Sequence, residues 1–282
     1  MKLVSWNVQW CRGMDGEVAP ERVAREAQAF ADFDVLCLQE VAVNFPGLAG
    51  SRGEDQVRAL SHALPGFSLH FAPATDIDDG GGGRRLFGNL VASRLPALQV
   101  FRHALPWPAD AAVPSMGRVA LEAVLAAPWG PLRVTTTHLE YYSRRTRLAQ
   151  AQALRGLHAE ACAHARAPRM RGGPGDPFEA APRPAAAILC GDFNFRPADP
   201  EYALLTGACE PGLPRLVDAW QTLRSPAPHA PTFRLHDPEA DESPYCCDFV
   251  FVTEDLAARL RRIEVDAATR ASDHQPVMIE LA

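Results

Sequence analysis

Four short segments of this 282-residue chain place a carboxylate, an amide or an imidazole where an apolar, strand-like run stops: Ser5-Trp6-Asn7, Gln39-Glu40, Gly191-Asp192-Phe193-Asn194 and Ser272-Asp273-His274. Each alone is ordinary turn chemistry, since Asp, Asn and Gly are common wherever a strand ends. In combination they hold the oxygens a hard divalent cation prefers, and the carboxylate and imidazole that proton transfer needs. Phosphodiester cleavage calls for both: a cation to neutralise the phosphate and the departing oxygen, and a base within roughly 2.6–3.2 Å of an attacking water. Glu40 is the leading candidate ligand by residue type; alone it would read as a helix N-cap or an exposed loop acid. Gly191 reads as the residue that permits a tight strand exit.

The elements that must carry these residues alternate, though not strictly. Strand-like runs occupy residues 3–8, 35–38, 67–71, 89–92, 119–125, 132–137, 187–190, 249–252 and 277–281, many continuously apolar as strands covered on both faces are. Helical spacing places Val23, Ala27 and Phe30 on one face of 21–33, Val57, Leu60 and Leu64 on one face of 55–64, and Leu148, Ala151, Leu154, Leu157 and Ala161 on one face of 144–165. Hairpins are expected at 89–100 and 118–137. The mixture predicts an α/β sandwich of packed sheets with helices outside, rather than a parallel dinucleotide-binding sheet. Residues 76–85, with Gly80 to Gly83 in a row, and 167–184, dense in Pro, Gly and Arg, read as surface loops, the second mobile. There is no internal repeat, and residues 1–282 read as one domain.

At 47% hydrophobic the chain can bury a large core. It opens directly into a strand-like run, so no secretory leader is expected, and no apolar stretch reaches the roughly 18 residues of a membrane span. Seven cysteines without paired spacing suggest neither a disulfide framework nor a zinc site; Cys37 and Cys190 read as core, and a cytoplasmic setting is expected. A net charge of −6 argues against a surface that wraps a nucleic-acid backbone as a whole. Lys2 is the sole lysine among 28 basic residues, so a single arginine says little about phosphate binding.

The ordered set Trp6-Asn7, Gln39-Glu40, Gly88-Asn89 with Ser93-Arg94, Thr137-His138-Leu139, Gly191-Asp192-Phe193-Asn194, Asp248-Phe249-Val250 and Ser272-Asp273-His274 resembles the endonuclease/exonuclease/phosphatase (DNase I-like) superfamily, from residue 5 to residue 274. The resemblance implies a four-layer α/β/β/α sandwich, two mixed sheets flanked by helices, with the site at one edge. It also implies Mg²⁺, with Mn²⁺ as the alternative, held by Glu40 with Asn7 and Asp273. Asp192 would be the base for the attacking water, or a second metal ligand, with Asn194 orienting that water. His274, paired with Asp248, would stabilise the transition state; a different assignment makes His274 the base and Asp192 its support. His138 would bind a phosphate oxygen or protonate the leaving group. Asn89 is a substrate-side candidate, and Arg118 either another or half of a strand-edge ion pair. Tyr141, Tyr142, Arg144, Arg145 and Arg147 offer two readings, the lining of a substrate groove or a helix start with a solvated face, and the second is preferred.

These expectations describe a phosphoester hydrolase using direct attack of water, on a nucleic acid or a small molecule. A lipid-headgroup or inositol-phosphate substrate is the alternative within the class. A catalytically silent binding module on the same fold is the alternative outside it, and such a module should have lost part of the set. No protein partner is indicated.

Overall fold

In the computed structural model the described residues are 1–282 except 168–171, 174, 180, 210 and 238–240. Among the described residues twelve strands form two six-stranded sheets. The first runs β11 (Leu260–Val265), β12 (Val277–Leu281), β1 (Lys2–Asn7), β2 (Val35–Val43), β4 (Arg84–Ser93) and β3 (Ser68–Asp78). The second runs β5 (Ala97–Ala104), β6 (Val119–Ala127), β7 (Gly130–His138), β8 (Ala187–Asp192), β10 (Asp248–Thr253) and β9 (Leu216–Asp218). β1 is parallel to β2, and β7 to β8; the remaining neighbours are antiparallel, so both sheets are mixed.

The period-2 alternation of strand side chains accounts for the continuously apolar runs. Leu3, Val35, Cys37 and Val91 point inward against Ala123, Val134, Ile188, Cys190 and Val250 of the other sheet. Their neighbours Val4, Trp6, Leu36, Leu38 and Leu90 point outward beneath α1 (Pro20–Phe30) and α2 (Gln56–Ala63), meeting Val23, Ala27 and Leu60. On the far side Leu189, Phe193, Phe195, Phe249 and Phe251 lie beneath α3 (Arg144–Arg166) and α4 (Pro200–Thr206), meeting Ala151, Leu154 and Leu205. The result is the four-layer sandwich. Short helices α5 (Ala219–Arg224) and α6 (Glu254–Ala257) flank β9 and β10.

Two local expectations need correcting. The hairpin expected at 118–137 is β6–β7, but 89–100 is not a hairpin: β4 stays in the first sheet and β5 pairs with β6 in the second. The apolar runs on either side of Arg94 are alike, and only long-range pairing separates them. There the Ser93 hydroxyl bonds both the N–H and the carbonyl of Leu95, turning the chain from one sheet to the other. Residues 76–85 instead form the turn of the β3–β4 hairpin, with half of them in the two strands. Asp79 receives the N–H groups of Gly81 and Gly83 at its tip. Of the expected loop at 167–184, residues 168–171, 174 and 180 lie outside the described residues.

Among the described residues no helix is long and apolar enough to cross a membrane. All seven cysteines are free, and Cys37 and Cys190 lie in the inter-sheet core.

Candidate active site

The parallel pairs decide where the site lies. Asn7, the last residue of β1, sits beside Gln39 of β2 just before that strand's bulge, and His138 sits beside Asp192 at the end of β7 and β8. β10 runs the other way, so its first residue, Asp248, is the one opposite Asp192. Residues 272–274 reach the same edge just ahead of β12, where the Trp6 indole donates to the His274 carbonyl (2.9 Å) and the Ser272 hydroxyl to the Asn7 carbonyl (2.8 Å). Gln39 ties the sheets together beneath the site through Thr136 Oγ1 (2.8 Å).

Backbone irregularities aim the side chains. The β2–β4 register slips between Leu38 and Val41, and at that bulge Glu40 takes φ 62°. Gly191 has φ +138°, and a Cβ there would collide with the Thr137 carbonyl oxygen, so only glycine lets β8 approach β7 this closely. Asn194 has φ 52°, and Gln9, Trp10 and Cys11 are three consecutive left-handed residues.

Glu40, His138 and Asp192 form one cluster, with a ligand atom of each within 4.8 Å of the others. The Asn7 amide nitrogen lies between the carboxylates, donating to Glu40 Oε1 (3.0 Å) and Asp192 Oδ2 (2.9 Å), while its oxygen accepts the Gln9 N–H. Asp273 sits beside this cluster and accepts from the Gln9 side chain (2.8 Å). Burial, reinforced by Asp273, raises the Glu40 carboxyl to about 7. Burial also raises Asp192, to about 6, although the His274 charge works against the shift. Crowded, largely buried carboxylates reluctant to ionise are what a hard divalent cation would neutralise, so this donor set fits Mg²⁺ or Mn²⁺.

The two histidines carry different charges. The Asn194 amide nitrogen donates to the Leu139 carbonyl and approaches His138 Nε2, each at 2.9 Å. A carbonyl can only accept, which fixes the amide, so Nε2 accepts and the proton sits on Nδ1, facing Glu40 at 3.7 Å. Burial, with help from Arg118, holds His138 well below the usual histidine range, so it is neutral. Burial would also depress His274, but Asp248 and Asp192 outweigh it and hold the ring up at about 10. His274 Nδ1 donates to Asp248 Oδ2 (2.9 Å), and Nε2 faces Asp192 Oδ2 at 3.7 Å. Phe233 packs on the imidazole at 4.4 Å between centroids.

These groups open into a cleft of about 220 Å³, lined also by Gln9, Trp10, Arg118, Tyr141, Tyr142 and Phe233. Arg118 faces Glu140 at 3.6 Å, beyond hydrogen-bond reach. Asn89 does not line the cleft: it is buried and donates to the Val119 carbonyl, bracing the two sheets. Tyr141 and Tyr142 do line it, against the expectation of a solvated helix start, because Ser143 caps α3 only after them. Sequence reasoning also missed Gln9, Trp10, Phe233 and Thr232, which donates to Asp248 Oδ2 (2.7 Å). For the two tyrosines the available signal was a pair of adjacent aromatics three residues beyond His138.

A family model described as Endonuclease/Exonuclease/phosphatase family matches residues 4–274. No curated protein matches the chain by sequence. Among solved structures, the chain is similar to a Bacteroides thetaiotaomicron mannosyl-6-phosphatase (19% identity, 100% of this chain and 99% of that one covered, TM-score 0.67). It is similar to D. rerio TDP2 complexed with single strand DNA product (18%, 100% and 98%, TM-score 0.64). It is also similar to the human Nocturnin catalytic domain with bound sulfate anion (17%, 100% and 93%, TM-score 0.64). At these identities the likeness establishes the fold.

Proposed function

Because the chain belongs to the endonuclease/exonuclease/phosphatase family, we propose that it is a divalent-metal-dependent phosphoesterase that hydrolyses a small phosphate ester by direct attack of water. The observation that carries this reading is the opposed pair at the cleft floor: Asp192 Oδ2 faces His274 Nε2 across 3.7 Å. Too long for a direct hydrogen bond, the gap leaves both groups able to reach a third atom.

Glu40 would hold the cation with Asp273, while Asn7, whose amide nitrogen donates to both Glu40 and Asp192 and whose oxygen accepts the Gln9 N–H, would join the oxygen set only by turning its amide over. When bound, the cation would neutralise the phosphate and the departing oxygen. Asp192, at about 6, is ionised at neutral pH and can take the proton of a water, its other oxygen being held by the Asn194 N–H (2.9 Å). His274 keeps its proton to about 10, so at neutral pH it serves as a donor to charge developing on phosphorus oxygens. That favours Asp192 over His274 as base. Asp248 fixes the imidazole through Nδ1, and Thr232 fixes Asp248. Neutral His138 offers Nδ1–H to a phosphate oxygen or the leaving group.

The cleft decides the size of substrate. Nucleic-acid grooves grip many phosphates with cationic side chains. Here, among the described residues, Arg118 is the one arginine or lysine that lines the cleft, and three carboxylates line the same space. A small ester fits this better than a duplex.

The test is hydrolysis of bis(p-nitrophenyl) phosphate and of small phosphomonoesters with Mg²⁺ or Mn²⁺. Chelation should abolish turnover, and Asp192→Ala should lower kcat by roughly 10²–10⁴-fold, the span of a positioned general base. Undiminished turnover in Asp192→Ala would remove the proposed base, and turnover in EDTA would remove the metal.

A further inference from the structure

Four aromatic side chains line this cleft, Trp10, Tyr141, Tyr142 and Phe233, and the two tyrosines form its exposed mouth. Tyr141 and Tyr142 are 39% and 58% exposed, among the most exposed large hydrophobic residues of the chain. They meet edge to face, 4.8 Å between centroids. Exposing aromatic surface carries a hydrophobic cost, and clustering of such surface beside a cleft marks an interaction site.

The exposure is built in. The Arg147 guanidinium donates to the carbonyls of both Glu140 (3.0 Å) and Tyr141 (2.9 Å). The Tyr142 N–H is held by the Glu140 carboxylate (3.0 Å), and the Ser143 hydroxyl donates to Asp110 (2.7 Å) while capping α3. Trp10 is fixed in its left-handed conformation by its indole N–H on the Ala49 carbonyl (2.9 Å) and by the Gln56 side chain, which donates to the Trp10 carbonyl (2.7 Å). The Trp10 ring and the backbone that carries the two tyrosines are thus held in place, which lowers the ordering cost a flat ligand would meet.

We propose that this aromatic mouth is a stacking subsite for a planar ring carried by the phosphoester, so that the preferred substrate bears a nucleobase or comparable aryl group close to its phosphate. The inference rests on the phosphoesterase reading for what lies beneath the rings. The floor, rich in carboxylates and served by Arg118, can engage the phosphate through a cation but offers little charge to anything beyond it. Selectivity for the rest of the substrate therefore falls to apolar contact, to which Tyr and Trp add a π-face that aliphatic side chains lack.

The pair adenosine 5′-monophosphate and ribose 5-phosphate isolates the ring, because both present the same phosphate on the same sugar. Isothermal titration of each into Asp192→Asn protein with Mg²⁺ should show roughly tenfold tighter binding of the nucleotide, about the size of one base–aromatic stack. Mannose 6-phosphate should group with ribose 5-phosphate. The preference should collapse toward unity in the Tyr141→Ala/Tyr142→Ala variant and persist in Tyr141→Phe/Tyr142→Phe, which keeps the rings. Equal affinity for the pair, no measurable binding of the nucleotide, or a preference that survives the alanine variant would each overturn the subsite. A retained binding preference with no hydrolysis of any phosphoester by the wild type would instead sink the phosphoesterase reading and leave the subsite standing.

Discussion

Asp192 and Glu40 hold their protons to about 6 and about 7, above the ordinary values of 3.8 and 4.5. An acid whose folded pKa is raised favours folding most at low pH and loses that contribution as pH rises to its folded pKa. His274, a base raised from 6.5 to about 10, contributes fully below 6.5 and loses its contribution as pH rises through 10. As pH rises from about 4 to about 7, then, the two carboxylates become a growing source of instability, complete by pH 8, that a bound cation would offset. Mg²⁺ should accordingly raise Tm more at pH 8 than at pH 5, measured by differential scanning fluorimetry, and equal shifts at the two pH values would refute the cation's placement beside these carboxylates. Sequence reasoning singled out these three residues because their motifs lie in fixed order with distinctive types. Thr232 and Gln9 escaped it because they act by hydrogen bonds to neighbours distant in sequence, Asp248 in one case and Asp273 in the other. Asn89 misled in the opposite way: a polar residue at the right place in a motif, turned inward to brace the sheets.

At the scale of elements, aim depends on backbone that resists ordinary side chains. Of the non-glycine residues with positive φ, Gln9, Trp10, Glu40 and Asn194 line the cleft, and Arg234 adjoins Phe233. Conformations of this kind cost on the order of 1–3 kcal/mol each and persist where surrounding structure over-determines them. Gly191 is the counterpart, a position that must lack a side chain. Gly191→Ala should destabilise the protein by at least about 2 kcal/mol in urea unfolding, since it combines an unfavourable φ with a collision against the Thr137 carbonyl. A change below about 0.5 kcal/mol would show that β8 can move away from β7 at little cost. Apolar runs located strands well in the sequence, because strands covered on both faces have nothing else to be. They could not say which sheet a strand joins, and so 89–100 read as a hairpin when its two halves belong to opposite sheets.

For the molecule as a whole, mixed sheets, outer helices and a site at one edge were legible, since alternating periodicities and ordered motifs both constrain them. The aromatic mouth was not, because loop residues follow no period, and whether Tyr141 and Tyr142 meet solvent, core or cleft depends on where α3 begins. One feature of the architecture reaches beyond catalysis. Asn7, at the end of the first strand, is welded to residues 272–274 by Trp6–His274 and Ser272–Asn7 bonds spanning 268 and 265 positions. Contacts of such sequence separation are entropically costly to close and form late. On dilution from urea, recovery of hydrolysis should therefore lag recovery of far-ultraviolet circular dichroism, and coincident recovery would contradict late closure. Turnover in this protein would then serve as a clock on folding: the reaction begins only when the two ends of the chain have found each other.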